Sequence, residues 1–390
     1  FLGAAGIAAY VAWSAAKVRK RKEIEKIEEK TIDEDGVESV MGEENQLSID
    51  DVSNRALLML EVGYGLIPLL EDKGKSSLVT RITGIRKQTS RDFGFIIPSV
   101  RIRDNLSLEP NGYRITVGGV IVADDKVQAA KLLAIQGDKS TIALPGEKVK
   151  DPTFGLDAVW IEQHDRVRAQ AANYTVVDAS TVIATHLNQL LRQNISDLLG
   201  QDEVQQLLDH VAKTSPSLVS GIVPKVVTLG ILTQVLKNLL LDQISIADLR
   251  RILEAMAGAK SREIDDLVDT ARVALAPIIV QRVSGPKEPL SVITLDPGLE
   301  QIIVQNARAG GRESGMIEPG LGRKLIESFQ EQGRKLAEED KALVVVTTPT
   351  LRRDLASLVR QAVPDGLVLT YKEVPESKRI NVVAVIGASE

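Results

Sequence analysis

The first sixteen residues, Phe1 to Ala16 (FLGAAGIAAYVAWSAA), carry no charge, and the chain then turns abruptly basic at Lys17-Val18-Arg19-Lys20-Arg21-Lys22. Few structures are open to such a run, because in lipid every backbone polar group must be satisfied internally and a helix does this within one segment. A spanning helix takes about 20 apolar residues, so residues 1–17 read as the end of a transmembrane helix whose beginning precedes Phe1. The small residues Gly3, Ala4, Ala5, Gly6, Ala8 and Ala9 suit close helix packing in lipid. Tyr10 and Trp13 approach the interface, and the basic cluster marks the cytoplasmic side. A cleaved signal peptide would place its positive charges before the apolar run rather than after it; a buried amphipathic helix is the soluble alternative. Residues 18–55 then read as a charged cytoplasmic linker. Its stretch Glu23–Glu44 (EIEKIEEKTIDEDGVESVMGEE) holds almost no large apolar side chain with which to offset the entropy of ordering.

Beyond residue 55 the pattern alternates between strand and helix. Ala56–Leu70 (ALLMLEVGYGLIPLL) is an apolar strand-like run broken by Gly63, Gly65 and Pro68. Ser76–Lys87 has helical spacing, with Leu78, Ile82 and Ile85 on one side and Arg81, Arg86 and Lys87 opposite. Strands are expected at Phe95–Ile97, Val100–Arg103 and Tyr113–Val122, with Asn111-Gly112 as a turn between two of them. From Lys131 to Asp178, Gly and Pro punctuate short apolar runs such as Ala158–Ile161 and Tyr174–Val177, which predicts a small inserted α/β unit. Asp178 and Ser180 are both suited to cap a helix at Thr181–Leu191 that carries Thr185 and His186. Residues 194–280 read as nearly all helix, with Pro216, Pro224 and Gly258 separating the elements. The loop Ser284–Pro289 marks a boundary, after which strands and helices alternate again around a glycine-rich loop at 309–315.

The chemistry-bearing motifs are mostly missing. Cysteine is absent, which removes disulfides, thiolate zinc sites and cysteine nucleophiles and fits a reducing compartment. The three histidines (His164, His186, His210) are not spaced for a shared metal site, and the net charge of -5 offers no basic stripe for nucleic acid. No GxxxxGK[ST] loop, GxSxG elbow, HExxH helix or calcium loop occurs. The acidic groups Asp265-Asp266 and Glu338-Glu339-Asp340 read as solvated helix faces, and His186, with no nucleophile motif beside it, as a packed or surface side chain. No catalytic residue, cofactor or metal site is therefore expected, and the chain reads as a binding protein, not an enzyme. Phe154 is different: in Asp151-Pro152-Thr153-Phe154-Gly155 a large ring sits on a turn, where it either plugs its own domain or anchors a partner.

Several segments in order carry a resemblance. These are Phe95–Pro98 with Val100–Leu106 (VRIRDNL), Tyr113–Ile115, Leu144–Glu147, Asp151–Leu156, Ala158–Ile161, Thr181–Asn188 and Val223–Val227. Together they resemble the FHIPEP family of bacterial type III export-gate proteins, and the turn and carboxyl end favour its flagellar branch over the virulence branch. The resemblance implies an α/β multi-subdomain fold. Its first subdomain is thioredoxin-like and split (56–129 and 179–198) around an inserted second (130–178); a helical third (199–283) and an α/β fourth (284–390) follow. It implies a nine-subunit ring of cytoplasmic regions beneath a channel in the bacterial inner membrane, with the tether packed on the adjacent subunit. The expected partners are flagellar export chaperones with their substrates, the export ATPase complex, the switch protein and channel proteins. The family's chaperone-binding depression maps onto Asp151, Phe154 and Thr185, with Ile135, Pro145 and Val182 as flanking residues. Proton coupling belongs to the family's membrane portion. A virulence export gate and a purely structural scaffold are the alternatives.

Overall fold

The computed structural model describes residues 56–71, 77–137, 142–309 and 317–387. The apolar start, the basic cluster and the linker lie outside the described residues, as does the glycine-rich loop apart from Ala309. No helix among the described residues is long and apolar enough to cross a membrane.

Three four-stranded sheets organise the chain. The first has the order β2-β1-β3-β4 and is built from β1 (Leu58–Val62), β2 (Val100–Asp104), β3 (Gly112–Val117) and β4 (Val120–Lys126). β1 pairs parallel with β2 and antiparallel with β3. The apolar run after β1 is no longer strand: it closes into a 3-10 turn at Tyr64–Leu66 and one helical turn, α1 (Pro68–Glu71). A parallel pair needs a crossover, and α2 (Leu78–Phe93) supplies it, capped at its start by the Ser77 hydroxyl, which accepts the Thr80 N–H at 3.2 Å.

Two strand expectations need correction here. Phe95–Ile97 is not a strand: the Ile97 N–H is donated to Ser90 Oγ (3.0 Å), and its carbonyl accepts from Arg86, so the segment is tied to α2 instead of a ladder. The expected strand Tyr113–Val122 is a hairpin, β3 and β4, because Gly118 and Gly119 both take positive φ (57° and 85°), as a tight two-residue turn requires. Asn111-Gly112 leads into β3 without joining two paired strands, since β1 lies between β2 and β3.

The second sheet is antiparallel throughout, with the order β6-β7-β5-β8, from β5 (Leu132–Gln136), β6 (Glu147–Lys150), β7 (Asp157–Ile161) and β8 (Tyr174–Asp178). The short helix α3 (Arg166–Ala171) packs on it over Ala169, Ala172 and Tyr174. β8 runs straight into α4 (Ala179–Gln193), whose N-cap is Asp178: its Oδ1 accepts the Thr181 N–H at 2.7 Å. Of the two caps the sequence offers, Asp178 serves and Ser180 lies inside the helix.

Next come α5 (Gln201–Ala212), α6 (Pro216–Ile222), α7 (Leu229–Leu241), α8 (Leu249–Ala257) and α9 (Ile264–Val283). The third sheet, all parallel with order β11-β10-β9-β12, is formed by β9 (Leu290–Leu295), β10 (Val344–Thr347), β11 (Leu367–Thr370) and β12 (Ile380–Ile386). α10 (Pro297–Ala309), α11 (Pro319–Glu338) and α12 (Pro349–Ala362) complete it. A parallel sheet is covered on both faces, and this one is. Ile293, Leu295, Val345 and Val368 pack with Ile303, Phe329 and Leu355, while Val292, Val344, Val346 and Leu369 belong to the large core that continues through the helices to the first sheet.

Candidate functional site

The turn Asp151–Leu156 joins β6 to β7 and faces both ways. Asp151 is 3% exposed while Phe154 is 63% exposed. The geometry is that of an Asp side chain folding back on its own turn: Asp151 Oδ2 accepts the Phe154 N–H at 2.8 Å. Two backbone bonds close the loop, Gly155 N–H to the Asp151 carbonyl and Asp151 N–H to the Leu156 carbonyl, each 2.8 Å. Gly155 takes φ +67°. Thr153 is buried inward, and its Oγ1 has no hydrogen-bond partner. Phe154 and Leu156 therefore stand outward on a turn whose backbone is pinned. The ring, 63% exposed, does not plug its own domain.

Thr185 lies half-buried on α4, far from the turn in sequence. Its neighbour His186 is 6% exposed, and its Nδ1 meets the Tyr113 hydroxyl of β3 at 2.7 Å, the two rings edge-on at 89°. Asp125 of β4 places Oδ2 3.9 Å from the same nitrogen. Burial pushes the His186 imidazole below its ordinary value, against the opposing fields of Asp125 and Asp151. Burial, then Asp125 and Asp151, pushes the Tyr113 phenol upward. Of the flanking residues, Ile135 is half-buried and Pro145 exposed, whereas Val182 is 2% exposed and belongs to the core; it does not line a surface.

The sequence reading missed Tyr113, Asp125 and the inward Thr153. Tyr113 lies 73 residues from His186. The one local signal was the pair of a lone polar histidine and an apolar helix face, which says that a partner is needed but not which one.

The chain matches known proteins along most of its length. The profile of the FHIPEP family matches residues 1–379. The flagellar biosynthesis protein FlhA of Proteus mirabilis is 36% identical over 376 residues, covering 96% of this chain and 52% of that protein. The chain spans about half the length of the curated relatives it matches, 52% and 49% for two of them. Among solved structures, the CdsV protein of Chlamydia pneumoniae superposes with a TM-score of 0.71 at 26% identity, covering 84% of this chain and 97% of that one. The nonameric EscV cytosolic domain from a type III secretion system shares the fold at 17% identity, with a TM-score of 0.65 over 88% of this chain and 99% of that one.

Proposed function

Because this chain belongs to the FHIPEP family, we propose that it is the cytoplasmic docking platform of a flagellar type III export gate, binding export chaperones that carry substrates. It works by reversible binding and subdomain motion, without catalysis, and passes substrates toward a membrane channel. The observation that carries this reading is the Asp151–Leu156 turn, with a 63% exposed phenylalanine held on a backbone pinned by a buried aspartate. An aromatic ring on rigid backbone anchors a partner at low entropic cost, because little is left to order on binding. Asp151 sets the turn, Phe154 is the anchor, and Thr185 borders the site from α4.

The first sheet and α4 form the split, thioredoxin-like first subdomain, the second sheet its insertion, α5 to α9 the third, and residues 284–390 the fourth. A ring of nine beneath the bacterial inner membrane belongs to this reading; what supports it is the nonameric state of the EscV cytosolic domain, for the ring, and the FlhA names, for the flagellar system. The other expected partners, the export ATPase complex, switch protein and channel proteins, belong to the same reading.

Calorimetric titration of the chain with a flagellar chaperone–substrate complex tests it. Saturable binding is expected, lost in folded Asp151→Ala, Phe154→Ala and Thr185→Ala variants. Unchanged binding in the Phe154→Ala protein sinks the assignment of the anchor. No binding by wild-type protein, as monomer or assembled ring, leaves a structural scaffold.

A further inference from the structure

An outer strand of a sheet offers a row of backbone groups to any other chain, and proteins blunt it with charge or cover it. Among the described residues the outer strands are β2 and β4, β6 and β8, and β11 and β12. β2 carries Arg101, Arg103 and Asp104, and β4 ends in Asp124, Asp125 and Lys126. β6 carries Glu147, Lys148 and Lys150, and β8 ends in Asp178. β11 is buried from Leu367 to Thr370. β12 has neither protection. Its run Ile380–Ile386 (INVVAVI) holds no charge, and Ile380, Val382, Val383 and Val385 are between 39% and 52% exposed.

The strand turns both its backbone and its side chains outward. On its inner side the Arg379 and Ile386 carbonyls accept from the Leu290 and Asp296 N–H groups, each at 2.8 Å. Backbone groups alternate sides along a strand, and the register shift between Val382 and Ala384 resets that alternation. The N–H and C=O of Ile380, Val382 and Val385 therefore point away from β9. Leu290 and Val292, opposite Ile380 and Val382, are each 1% exposed. The cover that buries β9 thus stops short of the edge.

We propose that the β12 edge takes an extended stretch of an export substrate released from its chaperone, added to the third sheet as a further strand. Main-chain hydrogen bonds hold such a strand, and apolar residues at alternate positions match Ile380, Val382 and Val385. Seven residues of strand span about 23 Å and leave a few hundred Å² of apolar side chain to cover. A stable complex of folded proteins buries roughly 1,200 Å² or more. The edge is therefore too small to hold two copies of this chain together, and it suits a segment that binds and leaves. The chain's own Glu23–Glu44 has almost no large apolar side chain to lay along it. This inference rests on the docking reading for the identity of the segment, while its site is separate from the Asp151–Leu156 turn.

Residue-resolved amide exchange of the full chain, at two protein concentrations, tests it with an unfolded export substrate freed of its chaperone. Without substrate the Ile380, Val382 and Val385 amides should exchange fast, whereas Asn381 and Ala384, which face β9, stay protected. Saturating substrate should slow the three outward amides at least about fivefold. Val382→Lys gives β12 the charge that other outer strands carry and should abolish the slowing, whereas Val382→Thr should keep it. Val382 is 52% exposed, so neither substitution disturbs the core. Outward amides that stay fast with substrate overturn the proposal. Amides already protected without substrate overturn it too: the occupant is then the chain itself if protection ignores protein concentration, and a second copy if it rises with concentration. Titration with the chaperone–substrate complex separates this site from the docking turn. The Val382→Lys chain should bind the complex as wild type does. Complex binding with fast outward amides sinks the edge and keeps the docking reading; slowed amides in a chain that does not bind the complex do the reverse.

Discussion

Arg272 is the residue whose replacement should do most damage for its size. It lies on α9 with a fully buried side chain (0% exposed) and donates four hydrogen bonds. Nε and Nη2 grip the two oxygens of Glu373 at 2.9 and 2.8 Å, Nη2 also reaches the Val368 carbonyl at 2.8 Å, and Nη1 reaches Asp242 at 2.7 Å. Asp242 does not depend on Arg272 alone, because Arg352 and Arg360 each donate to it at 2.7 Å. Glu373 does. It is 0% exposed, and without Arg272 its remaining bond is from the Thr370 N–H at 3.4 Å.

Removing one partner of a buried ion pair costs about 3–5 kcal/mol, most of it from the charge left behind. A domain's whole stability is about 5–15 kcal/mol, so Arg272→Met should lower the urea midpoint sharply. The loss should appear first as faster amide exchange in β11, which the Val368 carbonyl and the following Glu373 tie to α9. The double variant Arg272→Met with Glu373→Leu removes both charges and should recover most of the loss, since a well-packed apolar pair of similar volume is often as stable as the ion pair. A single variant costing under about 1 kcal/mol, or a double variant as unstable as the single, refutes the argument that an orphaned Glu373 carboxylate dominates.

Phe154→Ala should change the urea midpoint by less than about 1 kcal/mol, because the ring is largely outside the core, yet weaken chaperone docking by about 30-fold or more, as for an interface anchor. Gly155→Ala meets no atom within 4 Å, so its cost comes from φ +67° alone; about 1–2 kcal/mol is expected in denaturation, together with faster exchange at Phe154. Tyr113→Phe should be destabilised by about 1 kcal/mol at neutral pH, through the lost hydrogen bond. The unfolded phenol ionises near pH 10 while burial holds the folded one neutral, so as pH rises beyond about 10 the wild type loses stability through this group and the Tyr113→Phe protein does not. Urea midpoints of the two proteins should therefore converge there; a gap that stays constant would mean that Tyr113 is not held neutral by the fold.

Much of this protein is legible in residue order because the patterns are local. The spacing of Leu78 and Ile82 makes one buried face of α2, and the fully buried β10 (VVVT) and β11 (LVLT), apolar but for one threonine each, belong to a sheet covered on both sides, as their composition implies. Asp178 before a helical run is a cap by its chemistry, and the Asp151–Gly155 turn announces itself through Asp, Pro and Gly. These features arise among residues a few positions apart, so each can be read from its own segment.

What residue order left open lies between distant segments. Phe95–Ile97 has strand composition, but Arg86 and Ser90 claim its polar groups first. The third sheet reads as a separate α/β unit, yet one of its faces completes the core of the preceding helices. His186 finds Tyr113 across 73 residues, and Arg272 finds Glu373 across 101. Residue order by itself determined the local patterns and left His186 as a packed or surface side chain. The burial of these polar groups makes partners necessary, because a buried unpaired group costs more than packing returns. Only the tertiary structure decided which partners they are, since that choice depends on where three sheets and their helices bring the chain together.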